Sequence, residues 1–129
     1  MGESRKTILV VEDSADARAL MRSLLVRQGY DVAMANDGLE ALAHLEEHPR
    51  PALILLDLRM PVMDGLQFLE RQSQQTAIAD VPVVVYSAEH IPVVAAPNVV
   101  ACVQKASGCR TVLEVIQKAL GDSAAGAAQ

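Results

Sequence analysis

Four places in this sequence put a polar side chain at or just beyond the end of an apolar run. Glu12-Asp13 follow Ile8-Leu9-Val10-Val11, and Asp57 follows Ala52-Leu53-Ile54-Leu55-Leu56. Ser87 follows the run from Val81 to Tyr86, and Lys105 stands just beyond Asn98 to Val103. Each is bland when taken singly: a lone acid after a strand is usually a solvated loop residue, a serine there can cap a helix, and most lysines are surface groups. A carboxylate pair, a carboxylate, a hydroxyl and an ammonium in that order are harder to dismiss. If they converge, three carboxylates repel one another unless a cation offsets them. Hard oxygen ligands that leave positions for water and a phosphate suit Mg²⁺. An aspartate beside such an ion belongs to a known class of covalent nucleophile for phosphoryl transfer. Lys105 would then pair with phosphoryl oxygens as a compact point charge, and the Ser87 hydroxyl would donate to another. Positioning and charge neutralisation supply most of the effect in such a reaction.

Convergence needs a scaffold, and the pattern between these groups describes one. From Ala17 the apolar residues fall at helical spacing (Ala17, Leu20, Met21, Leu24, Leu25), with Ser14 or Asp13 able to cap the start and Gly29 closing the end. Tyr30 to Ala35 alternates as a strand, Asn36-Asp37-Gly38 is a turn and cap, and Leu39 to Glu47 is a short helix stopped by Pro49 and Pro51. The loop Arg59 to Gly65 leads into a helix from about Leu66 to Gln74, and Gly108 to Leu120 forms a last one. Short apolar strands alternating with amphipathic helices mean βα units on a parallel sheet. Five strands and five helices predict an α/β flavodoxin-like doubly wound sheet of order 2-1-3-4-5, with ligands outside the carboxyl ends of the strands at the switch point. Pro92 and Pro97 predict a short or irregular fourth helix.

Composition narrows the function. With 129 residues the chain can bury one core, and with 51% apolar but only 2% aromatic residues that core is aliphatic. A net charge of −5 argues against unspecific nucleic-acid binding, which depends on basic groups neutralising phosphates. The short apolar run after Lys6 is neither a signal peptide nor a membrane span, and two cysteines in no framework spacing suit a reducing cytosol. The expectation is therefore a cytoplasmic protein with no nucleic-acid or membrane partner.

The segments Ile-Leu-Val-Val-Glu-Asp-Ser at 8–14, Leu-Ile-Leu-Leu-Asp-Leu-Arg-Met-Pro-Val-Met-Asp-Gly at 53–65, Val-Val-Val-Tyr-Ser-Ala at 83–88, and Lys105 carry a resemblance. From about Thr7 to Leu120 the chain resembles the receiver domains of two-component signalling. The resemblance implies domain limits of 7–120, with residues 1–6 an extension and 121–129 a flexible tail. It also implies roles: Asp57 as phosphoacceptor, Asp13, Asp57 and the backbone carbonyl of Arg59 as direct Mg²⁺ ligands, and Glu12 as a ligand through water. Ser87 resembles the switch hydroxyl, Lys105 the pocket lysine, Ala88 the small residue that keeps access open, and Pro61 and Gly65 the loop that shapes the site. The implied partners are a histidine kinase or histidine phosphotransfer protein, and a downstream protein target reached by contact.

Three departures from the family pattern matter. Ala106 rather than proline follows Lys105, which argues against a cis peptide there. Cys102 replaces the aromatic that ordinarily moves with the hydroxyl, and the stretch from Ser87 to Lys105 is short and holds two prolines. These predict an intact acid pocket whose coupling to the usual face around the fourth helix is weak or rerouted toward helix one and the pocket loops. They also leave open a second reading, a degenerate receiver that serves as an interaction scaffold. A haloacid-dehalogenase-type phosphatase would need an aspartate where Arg59 stands, and a flavin phosphate would be repelled by Glu12-Asp13. Histidines 44, 48 and 90 read as surface groups, and Cys102 and Cys109 as core or near-core thiols.

Overall fold

The computed structural model describes residues 5–88 and 96–122. In chain order they form β1 (Thr7–Val11), α1 (Ala15–Arg27), β2 (Asp31–Ala35), α2 (Gly38–Glu47), β3 (Leu53–Asp57), α3 (Gly65–Ser73), β4 (Val83–Ser87), β5 (Val99–Gln104), a 3₁₀ turn (Lys105–Ser107) and α4 (Cys109–Ala119). The five strands make one parallel sheet ordered β2-β1-β3-β4-β5, as the alternation of runs predicts. The expected helix between β4 and β5 falls largely on residues 89–95, outside the described residues, so α4 here is the helix read from Gly108 to Leu120.

The central strands are apolar along their middles, Ile8–Val11, Leu53–Leu56 and Val83–Val85, because both of their faces are covered. Leu9, Ile54, Leu56, Val83 and Val85 pack against Ala41, Leu42 and Leu45 of α2 and Phe68 and Leu69 of α3. Ile8, Val10, Leu53, Leu55 and Val84 pack on the other side against Met21 and Leu25 of α1 and Val112 and Ile116 of α4. Burying each such side chain is worth about 1.5–3 kcal/mol, so β1 and β3 are rigid rails for whatever stands at their ends.

Local chemistry fixes where the helices begin. Ser14, rather than Asp13, caps α1 by accepting the Ala17 N–H; Asp37 caps α2 and Asp64 caps α3, the last with Gln67 in a reciprocal capping box. α1 ends at Gly29, whose φ of +94° is open to glycine and strained for other residues. A Cβ on Gly65 would lie 2.7 Å from the Leu58 Cα and 2.9 Å from the Asp57 carbonyl oxygen, so the loop after β3 can fold back over its own strand only with glycine there.

One expectation needs correction. Cys102 is exposed, not a core thiol, while Cys109 is half-buried. On β5 the side chains of Ala101 and Val103 turn toward α4, so strand alternation puts Cys102 on the opposite face. His44 near the end of α2 and His48, its C-cap, stack on one another with ring centroids 4.0 Å apart, away from the carboxyl ends of the strands, and His90 lies outside the described residues. The peptide between Lys105 and Ala106 is trans, since no cis bond occurs among the described residues.

Candidate functional site

The sheet order reverses between β1 and β3, and the carboxyl ends of these neighbours put Glu12, Asp13 and Asp57 together. One carboxylate oxygen from each lies within 4.8 Å of the others. Glu12 and Asp57 are buried, at 2% and 3% exposure, whereas Asp13 is exposed. Buried carboxylates need partners. Glu12 accepts from the Ser14 N–H at 3.1 Å and from the Lys105 ammonium at 2.8 Å. Asp57 accepts from the Arg59 N–H at 3.0 Å and faces Lys105 at 3.4 Å.

Lys105 reaches this group from the turn that follows β5. Burial disfavours its charge, but the Glu12 hydrogen bond and the fields of Asp57 and Glu12 outweigh that and raise its pKa above the usual lysine value. It is therefore an ammonium across the physiological range. Its Nζ also stands 4.9 Å from the ring centroid of Tyr86, the residue paired in register with Asp57 on β4. Ser87 ends β4 at 2% exposure. Beside the carboxylates a cavity of about 410 Å³ is lined by Asp13, Leu58, Arg59, Met60, Pro61 and Asp64. In the same loop, next to Pro61, Val62 is exposed and held at φ +70°, a costly conformation for a β-branched residue.

The structure thus brings together Glu12, Asp13, Asp57 and Lys105, sets Ser87 at the end of the strand beside Asp57, and puts Arg59 at the cavity wall. It adds two residues that the sequence did not flag. Arg18, on the first turns of α1, donates to the main-chain carbonyls of Glu12 at 2.8 Å and Asp13 at 3.1 Å, clamping the turn that carries both acids. Tyr86 underlies Lys105. Arginines on a helix surface are common, so Arg18 left no signal. Tyr86 did leave a faint one, as an aromatic next to Ser87 in a chain holding two tyrosines and one phenylalanine.

A sequence profile of the response regulator receiver domain matches residues 8–118. The chain belongs to that family. Among curated relatives, response regulator Rcp1 of Synechocystis is 39% identical over 93 residues, covering 66% of this chain and 63% of Rcp1. The polar-differentiation response regulator DivK of Brucella anthropi is 34% identical over 83 residues, covering 64% of this chain and 67% of DivK. Against the two-component response regulator ORR7 of rice (Oryza sativa subsp. japonica) the match is 33% and spans 40% of the relative, so several relatives are considerably longer than the matched region. Among solved structures, chemotaxis protein CheY4 of Vibrio cholerae superposes with a TM-score of 0.77 at 27% identity, covering 89% of this chain and 98% of CheY4. The N-terminal domain of a response regulator receiver protein from Methanoculleus marisnigri gives 0.71 at 31%, covering 93% of this chain and all of its counterpart. The Mn²⁺-bound form of Rcp1 gives 0.69 at 29%, covering 88% of this chain and 90% of that structure. The receiver family and the two-component context are thereby established. No helix among the described residues is long and apolar enough to cross a membrane.

Proposed function

We propose that this receiver domain accepts a phosphoryl group on Asp57 with Mg²⁺ and signals by protein contact from the cytoplasm. The observation that carries the reading is the cluster of Glu12, Asp13 and Asp57 at the switch point, two of them buried, with the Lys105 ammonium against it. Three hard oxygen donors so close fit a divalent cation better than they fit one another. Asp13, Asp57 and the Arg59 carbonyl would hold Mg²⁺ directly, with Glu12 acting through water. The bound ion supplies charge neutralisation for phosphoryl oxygens.

The residues divide the remaining work. An oxygen of Asp57 attacks the phosphorus of a phosphohistidine on a histidine kinase or phosphotransfer protein. The P–N bond breaks, and its electron pair leaves with the imidazole, which takes a proton from water. Lys105 then pairs with an oxygen of the new acyl phosphate and the Ser87 hydroxyl donates to another. In these steps the domain assists its own phosphorylation, and attack of water on the acyl phosphate reverses it, releasing inorganic phosphate and restoring the Asp57 carboxylate.

Incubation with acetyl phosphate tests the chemical nature of the product. The bond formed should be an acyl phosphate, cleaved by hydroxylamine and lost within hours of removing the donor. A hydroxylamine-resistant phosphate, or one mapped to Ser87, would overturn the assignment. Complete failure to label with Mg²⁺ present would favour the scaffold reading.

A further inference from the structure

We infer that Tyr86 is a positioning residue for Lys105, and that its ring carries the state of the pocket to the face formed by α1 and α4. The inference rests on the phosphoacceptor reading and adds a route by which the signal leaves.

Lys105 has three neighbours of two kinds: the carboxylate oxygens Glu12 Oε1 at 2.8 Å and Asp57 Oδ2 at 3.4 Å, and the face of Tyr86, 4.9 Å from Nζ to the ring centroid. A cation at that distance from an aromatic face is attracted by its quadrupole. The lysine leaves the sheet on a short 3₁₀ turn and its side chain is still 26% exposed, so nothing in its own backbone keeps the ammonium over the acids. Tyr86 floors that position. Burial raises the phenol's pKa despite the nearby lysine, which keeps the ring neutral at ordinary pH.

The same ring touches the other side of the sheet. Strand alternation turns Tyr86 with Val84 toward the cluster of Met21, Leu25, Val112 and Ile116, where Cys109 at the start of α4 also packs. Ser87 is next in the chain and Asp57 is opposite in register. A phosphoryl group on Asp57 adds negative charge beside Lys105 and draws the ammonium from Glu12 toward it. The Tyr86 ring must follow or lose its cation, and either response alters its packing against α4. Cys102, where the family pattern expects a moving aromatic, is exposed and has no ring. Among the described residues Tyr86 is the aromatic in contact with the pocket.

The chain has no tryptophan and two tyrosines, so Tyr86 can be read directly. In a Tyr30→Phe background its emission is the only tyrosine signal. Mg²⁺ and beryllofluoride, a phosphoryl mimic, are titrated while ¹⁹F resonances report binding independently. The expected result is an emission change that tracks the bound ¹⁹F signal and is absent in Asp57→Asn. Bound beryllofluoride with unchanged emission overturns the inference and leaves the phosphoacceptor reading standing. No bound ¹⁹F signal with Mg²⁺ present defeats that reading, and the inference falls with it. Tyr86→Leu should weaken beryllofluoride binding about two- to fivefold, while Tyr86→Phe, which keeps the ring face, restores it. Equal losses in the two variants would show a merely structural role. The emission measurement needs no substitution at Tyr86, so it decides the matter even where Tyr86→Leu does not fold.

Discussion

At the carboxyl end of the sheet, Lys105 stands 2.8 Å from Glu12 and 3.4 Å from Asp57, with Asp13 alongside. At the amino end, Lys6 stands 2.8 Å from Asp122, whose other oxygen accepts the Tyr30 hydroxyl at 2.9 Å. Both ends pair a lysine with acid, but the balance differs. The upper cluster sets three carboxylates around one ammonium and buries two of them. The lower one matches a single carboxylate to a single ammonium, adds a neutral hydroxyl, and leaves both charged groups partly in water. Lys6 also donates to the Leu120 carbonyl at 3.1 Å, so the lower group fastens the end of α4 to the start of β1. An ion group that is already balanced is a fastening. One left with surplus negative charge is relieved by a cation.

The sharpest break between the two ends should come from substituting the acids. Glu12→Gln should weaken Mg²⁺ binding by roughly ten- to hundredfold, as for a residue that acts at one remove, and Asp13→Asn by more. Asp122→Asn should leave Mg²⁺ binding unchanged. Isothermal titration of the three variants ranks them, and an Asp122 effect comparable with that of Glu12 would erase the distinction.

Arg18 gives a test in which the sign of the effect decides. If its charge merely sits near the acids, Arg18→Ala removes repulsion and tightens Mg²⁺ binding. If it clamps the Glu12 and Asp13 carbonyls, the same change loosens the turn and weakens binding roughly tenfold, with Arg18→Lys in between. Weakening is the expected outcome, accompanied by faster amide exchange at Asp13 and Ser14.

The lower group should matter for stability alone, and modestly. Lys6→Ala should cost about 0.2–1 kcal/mol in denaturant unfolding, the range for exposed pairs, and less at high salt. Its pH dependence has a definite sign. The Lys6 hydrogen bond, joined by that from Tyr30, holds the Asp122 carboxyl below its ordinary value of 3.8. Its contribution is therefore present above pH 3.8 and lost as pH falls through the lower folded value. The stability gap between wild type and Asp122→Asn should narrow in that acid window. A gap that instead widened there would contradict the assignment.

How much of this was legible beforehand follows from the range of the interactions. The sheet order and the four strand-end groups were readable because strands covered on both faces give unbroken apolar runs, and a polar residue ending such a run stands out. The caps at Ser14, Asp37 and Asp64 are equally local. The reach of Arg18 back to β1, the ring of Tyr86 beneath Lys105 and the exposure of Cys102 depend on how separate elements pack. The same is true of buried Gln72, which bonds the Ile78 carbonyl at 2.8 Å and accepts from Asn98 at 3.0 Å, tying α3 to the entry of β5. Nothing in the neighbouring sequence announces such pairings. Lys6 and Asp122 make the point most plainly, since both lie just outside the 7–120 limits that the resemblance implies.

The central claim is that the surplus of negative charge at the upper end serves Mg²⁺-dependent phosphorylation of Asp57. Intact mass spectrometry after incubation with acetyl phosphate, with and without Mg²⁺, tests it on wild type and Asp57→Asn together. A single added phosphoryl group is expected on wild type with Mg²⁺, none after chelation and none on Asp57→Asn. Equal labelling of the two proteins, or labelling of wild type that ignores the metal, would contradict it.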